Sequence, residues 1–127
     1  MRIGKRRYRW TATEFAEPAR KPDPETGRKG NHWFALDEER PLFCFAGVWT
    51  NWTSVRKLKE GEVTADLYGF LTTEPNGVVA PIHPKAMPVI LTTPEEIETW
   101  LTADWEDAVK LQRPLPDDGL LEVAEPD

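Results

Sequence analysis

Few side chains in this chain have the chemistry for catalysis, and their surroundings differ. His83 lies in Pro81-Ile82-His83-Pro84, between apolar segments. Prolines there stiffen the backbone around a group that titrates near neutral pH, which suits general acid–base work. Spacing alone nevertheless favours a structural or surface histidine. His32 opens an apolar stretch beside a loop and reads as an ordinary surface residue. Glu17 follows Phe15-Ala16 and precedes Pro18. A carboxylate at the end of a semi-apolar segment, if partly buried, has a raised pKa; a solvated loop glutamate fits the same residues more readily. An imidazole and a carboxylate make an acid–base couple only if they meet, and the spacing does not show that they do.

A second cluster joins rings to positive charge. Trp49 and Trp52 precede Arg56, Lys57 and Lys59. That mixture suits stacking on single-stranded bases with phosphate contact; core tryptophans beside a charged loop are the plainer alternative. The basic head, Arg2-Lys5-Arg6-Arg7-Arg9, offers further phosphate contacts, or simply a solvated terminus. Cys44 sits inside the most apolar run and reads as an inert core residue.

The elements that must position these groups follow from patterning. At 127 residues the chain has room for one domain. Six Trp and five Phe offset a modest apolar share, so a real core is expected. No apolar run is long enough to span a membrane, and no secretory signal follows Met1. A single Cys excludes an internal disulfide and a Cys-built zinc site. A cytoplasmic protein with no metal, cofactor or membrane partner is the expectation. Residues 1–30 carry nine basic and four acidic residues, whereas residues 94–127 carry two and eleven. That acidic tail argues against nucleic acid lying across its part of the surface.

Residues 1–18 show no clean period, and Pro18 to Asn31 reads as an exposed loop. His32–Leu36 and Leu42–Trp49 are strand candidates that together read as a hairpin, with Pro41 at the second strand's entrance. Thr50–Glu62 reads as a polar loop, and Val63–Thr73 as a strand covered on both faces, since Tyr68 and Phe70 fall on the second parity. Pro75-Asn76-Gly77 is a turn or helix-start signal. Ile82 to Leu91 is an irregular segment ending in a strand. Thr93 as N-cap, Pro94 at the first helical position and Glu96 three residues on predict a helix to about Thr102. A second short helix holds Trp105, Ala108, Val109 and Gln112 until Pro114 and Pro116, and Leu120–Val123 is a last strand. The fold class expected is α+β, mainly antiparallel.

The chain resembles roughly the C-terminal two-thirds of the SOS-response-associated peptidase (SRAP) family. Phe43-Cys44-Phe45-Ala46-Gly47-Val48-Trp49 is similar to its "aFAGlWe" stretch, Gly69 to Asn76 to "fTILTTpAN", and Ile82 to Leu91 to "iHdRMPviL". The resemblance is closest over residues 31–116. At the head, Arg6-Arg7 and Ala12 to Glu17 look like "RRClvPadGFyEw", which puts Glu17 on the family's active-site Glu and His83 on its active-site His. The resemblance implies a mainly antiparallel sheet or partial barrel. It also implies action at abasic sites in single-stranded DNA, where a Cys after the initiator Met crosslinks to the opened sugar and Glu and His assist. Peptidase, hydrolase and lyase chemistry are associated with the family. Thr72, Lys85, Trp49, Arg6 and Arg7 are the DNA contacts expected from this reading.

The sequence departs from the family in several places. Arg2 follows Met1 where the family has its nucleophilic Cys, and the "MCGR" opening and an Asn-containing strand are absent. Tyr8-Arg9-Trp10-Thr11 stands where an apolar strand is usual, and Ala86 lengthens the His-to-Met spacing by one residue. The chain therefore reads as a single partial domain over 1–127, lacking the family's N-terminal segment. It is expected to be inactive as written, with an exposed core face that brings marginal solubility or pairing with a second chain. The alternatives are a catalytically dead fragment that at most binds single-stranded DNA, or an unrelated small interaction domain.

Overall fold

The computed structural model describes residues 6–55 and 62–127, with side chains described outside 50–67. Three antiparallel sheets and two short helices make an α+β fold. No sheet closes into a barrel among the described residues.

The spine is a long strand, β4 (Phe43–Val55). On one side it pairs with β1 (Arg7–Ala12), with Tyr8 opposite Gly47 and Trp10 opposite Phe45. On the other it pairs first with β5 (Glu62–Phe70), with Trp49 opposite Tyr68, and then with the two-residue β8 (Ile90–Leu91). A second sheet has the order β2 (Phe15–Pro18), β3 (Asn31–Ala35), β9 (Leu121–Val123). A two-stranded ribbon joins β6 (Thr72–Thr73) to β7 (Met87–Pro88).

Two corrections to the sequence reading concern β3 and β4. The segments around 32–36 and 42–49 do not form a hairpin, because β3 pairs with β2 and β9 while β4 pairs in the other sheet. The turn at 37–41 instead hands the chain from one sheet to the other. Asp37 Oδ1 accepts from Glu39 N, and Arg40 takes a left-handed φ of 54° while its guanidinium donates to the Ala124 carbonyl. The polar stretch read as a loop is strand from Thr50 as far as Val55, paired with β5. Arg56, Lys57 and Lys59 lie outside the described residues, as does Arg2.

Two apolar clusters hold the layers together. Phe15, Phe34, Phe43, Met87, Ile90 and Leu120 fill the space between the second sheet and the start of β4. Phe15 stacks on Phe34 at 5.3 Å and meets Phe43 edge-on at 6.4 Å. On the other face of β4, Cys44, Ala46, Val89 and Leu91 pack against Trp100 and Ala108. Trp100 is the anchor of α1 (Pro94–Thr102): its indole N–H is shared between the carbonyls of Tyr8 at 2.9 Å and Gly47 at 3.2 Å. The helix therefore bridges β1 and β4 through one buried side chain.

The start of α1 matches the expectation, with Pro94 at the first position and the Thr93 hydroxyl accepting from Glu96 N at 3.1 Å. The Glu96 carboxylate reaches back one residue further than a capping box requires, to Thr92 N at 2.8 Å. It also meets Arg113 at 2.7 Å, and the same guanidinium donates to the Ile90 carbonyl. Burial pushes the Glu96 pKa up, but the Thr92 bonds and Arg113 together hold it below the usual range. The second helix, α2 (Trp105–Ala108), continues as a 3-10 turn over Val109–Leu111. No helix among the described residues is long and apolar enough to cross a membrane.

Candidate functional site

Both halves of the acid–base couple stand on short, well-held segments. Glu17 is in β2, opposite His32 of β3, and its side chain points away from that partner toward the β6–β7 ribbon. His83 closes a series of turns that begins at Asn76. The Asn76 amide is buried: its Oδ1 accepts from Val78 N at 3.1 Å and Val79 N at 3.0 Å, and its Nδ2 donates to the Leu115 carbonyl at 3.0 Å. Ala80 N bonds to Asn76 O, and His83 N to Val79 O at 2.8 Å. The Pro75-Asn76-Gly77 signal thus marks the residue that winds the segment carrying His83.

At the site, His83 Nδ1 lies 3.9 Å from Glu17 Oε2 and 2.7 Å from the Ala86 carbonyl oxygen. A carbonyl only accepts, so Nδ1 carries the proton and Nε2 is the acceptor of the neutral ring. The carboxylate at 3.9 Å acts on the ring through its charge rather than through a hydrogen bond. The side chain of Glu17 is 15% exposed and that of His83 35%. Burial raises the Glu17 pKa, and His83 pulls it the other way.

The pair lines a cleft of about 280 Å³, with walls from Phe15, Phe45, Phe70, Met87 and Thr72. Thr72 is exposed at the rim, and its carbonyl accepts from the Gln112 side chain at 3.0 Å. A corner of backbone bonds fixes this rim where the chain leaves the main sheet: Leu71 N to Ala46 O, Ala46 N to Val89 O, and Val89 N to Leu71 O. Lys85 is exposed two residues beyond His83. His32, read as a surface residue, pairs with Glu122 at 3.3 Å. Cys44 is buried, as expected.

The remaining expected DNA contacts divide. Arg6 is exposed, and its guanidinium stands 5.6 Å over the Trp49 ring. Arg7 is a correction. It is 6% exposed, donates to the Ala103 carbonyl at the end of α1, and lies 5.7 Å from the Trp100 ring centroid. The pleat decides this: Arg6 and Arg7 point to opposite faces of β1, and Arg7 falls on the face that α1 covers. Burial lowers its pKa while Asp104 raises it. A guanidinium so placed does not reach a phosphate.

Sequence reasoning did not single out Tyr8 and Trp10, and it read the face of Tyr68 and Phe70 as covered. The face carrying Tyr68 and Phe70 is open, with exposures of 68% and 48%, and Trp10 on β1 is 60% exposed. The alternation in 8–10, 45–49 and 68–70 was the available signal: one parity in three neighbouring strands is aromatic. An exposed aromatic face is therefore present on the main sheet.

Fold and site together define a small α+β protein with a carboxylate–imidazole pair at the end of an aromatic sheet face. Residues 3–124 match the family described as SOS response associated peptidase (SRAP). The match covers nearly the whole chain, so the chain belongs to that family, which associates it with the DNA damage response and with a DNA-related partner. No curated protein matches the chain significantly.

Proposed function

We propose that this protein acts at abasic sites in single-stranded DNA, with Glu17 and His83 handling protons at the damaged sugar. The observation that carries the reading is the 3.9 Å approach of His83 Nδ1 to Glu17 Oε2 in a cleft with apolar walls. An abasic sugar is a cyclic hemiacetal that must open before its aldehyde reacts. Opening breaks the bond between C1′ and the ring oxygen. The ring oxygen keeps the electron pair and takes a proton from the His83 imidazolium, while the C1′ hydroxyl gives its proton to the Glu17 carboxylate. Both transfers need a proton donor and a proton acceptor held at the same sugar, and the imidazole and the partly buried carboxylate stand close enough to serve it together.

Cys44 is buried away from the cleft. The opened aldehyde can be trapped by a nucleophile added from outside. The test adds free cysteine as that nucleophile, whose amine and thiol condense with the aldehyde to a thiazolidine and release one water. The protein should accelerate capture of an abasic oligonucleotide, and His83→Ala and Glu17→Gln should each slow it about a hundredfold. Capture at equal rates by wild type and both variants, with unchanged melting, overturns the reading. A binding-only fragment predicts that result.

A further inference from the structure

The main sheet has one covered face and one open face. On the first, Trp100 of α1 packs against Cys44, Ala46 and Leu91. The second carries Tyr8, Trp10, Phe45, Trp49, Tyr68 and Phe70 around a groove of about 910 Å³. Tyr68, Trp10 and Phe70 each leave about half to two-thirds of their surface open. At roughly 200 Å² for a whole aromatic side chain, the open parts of these three rings come to about 350 Å². A contiguous apolar patch of that size marks an interaction surface.

Three observations point to a second copy of this chain as the occupant. The first is the lack of charge on the ring side. Arg9 is the one charged residue of the lining among the described residues, and by strand alternation it shares the parity of Arg7, on the side that α1 covers. Arg6, on the ring side, already has its guanidinium over the Trp49 ring. Aromatic residues with few charges are the composition of homodimer interface cores. The second is self-complementarity. Tyr8 and Tyr68 stand at 87° to each other with centroids 5.7 Å apart, and Trp10 and Phe70 at 69° and 6.4 Å. The surface thus presents ring faces and ring edges side by side. Aromatic rings prefer edge against face, so such a surface fits a copy of itself turned about a two-fold axis. The third is area. In a pair, these three rings alone would bury about 700 Å². A standard interface of about 1,600 Å² has about 1,000 Å² of apolar surface in a homodimer, so the rings supply most of what is needed.

We propose that the aromatic face is the interface of a homodimer in which two main sheets pack face to face about a two-fold axis. The inference does not rest on the function proposed above. Each sheet then becomes a layer covered on both sides, by its own α1 and by the partner sheet. The two sheets sit about 10 Å apart, as in a β-sandwich, and their rings interdigitate between them. Little charge has to be stripped of water, because no carboxylate lines the face among the described residues. A narrow peptide would cover one strip of the groove, whereas a second sheet covers its whole width.

The test is sedimentation equilibrium over a range of protein concentrations. The wild-type chain should reach twice the monomer mass by about 100 μM. The dimer should persist at high salt, since rings rather than ion pairs hold it. Trp10→Ala with Tyr68→Ala should raise the dissociation constant about tenfold or more, and Trp10→Phe with Tyr68→Phe should restore most of the loss. Melts of all variants at a concentration where each is a monomer should be nearly equal, because both side chains are exposed in the single chain. Leu42 is as exposed but lies outside the groove, so Leu42→Ala should leave the mass unchanged. A wild-type chain that stays monomeric at every concentration overturns the proposal; loss of oligothymidylate affinity in the double alanine variant would then give the face to nucleic acid. Growth beyond the dimer overturns the two-fold packing. A dimer that survives the double alanine variant, or is lost in Leu42→Ala alone, puts the interface elsewhere and overturns it as well.

Discussion

The ring of Tyr8 lies flat over Gly47, its partner across the β1–β4 ladder. A Cβ at Gly47 would come within 2.6 Å of Tyr8 Cε1 and 2.8 Å of Cε2. Glycine is therefore required here for close approach rather than for its backbone freedom. The same two residues supply the carbonyls that share the Trp100 indole N–H, so the aromatic face and the helix anchor meet at this point.

Gly47→Ala should force the Tyr8 ring off the sheet and destabilise the protein by about 1–3 kcal/mol. Tyr8 faces the open groove and has room to swing, which favours the lower end. The check is a double-mutant cycle with Tyr8→Ala. If the ring is the obstacle, Gly47→Ala should add little once Tyr8 is truncated. Additive losses would mean that the strand itself rejects a side chain at 47.

Local signals and partner choice were not equally legible. The Thr93-Pro94-Glu96 start of α1 could be read almost to the residue because a cap is a contract among neighbours in sequence. The Glu17–His83 meeting came from the family resemblance, because 66 positions separate the two residues and no period links them. The supposed hairpin failed for a related reason. The turn at 37–41 is real, but Phe34 and Phe43 enter the same core from different sheets. Thr50 to Ser54 has no apolar alternation to mark it as strand, although its β-branched threonines tolerate one. Tyr68 and Phe70 look apolar whether a face is covered or open, so their exposure was invisible before the structure.

Glu17→Gln should change the pH dependence of stability in a defined direction. The Glu17 pKa is raised in the folded state, chiefly by burial. The native state thus holds this proton more tightly than the unfolded chain does. That contribution is fully present below the unfolded carboxyl pKa of about 4.3 and is lost as pH rises through the folded value. Glutamine does not titrate, so the variant should gain in melting temperature over wild type as pH rises, with the gap constant near neutrality. A variant that instead loses ground with rising pH would mean that attraction to His83 outweighs desolvation.

Asn76→Ala should cost about 2–3 kcal/mol, since three hydrogen bonds are lost and the Val78 and Val79 amides are left without that acceptor. Because Asn76 winds the turns that carry His83, the His83 ring resonances should move as well. A melt lowered with unmoved His83 resonances would make Asn76 a structural residue only.

Cys44 should form no adduct with abasic single-stranded DNA that survives denaturation. The thiol is 4% exposed and internal, without a free amine beside it. The gel is run with the wild-type chain beside Cys44→Ser. A surviving band that disappears in Cys44→Ser contradicts this expectation.

DNA affinity should fall with salt, and the two arginines at the start of β1 should differ in their share. For a single strand, each phosphate contact adds about 0.7 to the slope of log affinity against log salt. Arg6 and Lys85 are exposed beside the groove and the cleft, so Arg6→Ala and Lys85→Ala should each reduce the slope by about that amount. Arg7 is turned to the Ala103 carbonyl and the Trp100 ring, so Arg7→Met should lower the melting temperature and leave the slope unchanged. Methionine keeps the length of the stem, which limits the damage to packing. A reduced slope in Arg7→Met, at a temperature where the variant is folded, would show that this guanidinium leaves the helix end to meet a phosphate. A flat salt response in the wild-type protein would remove phosphate contact from the binding altogether.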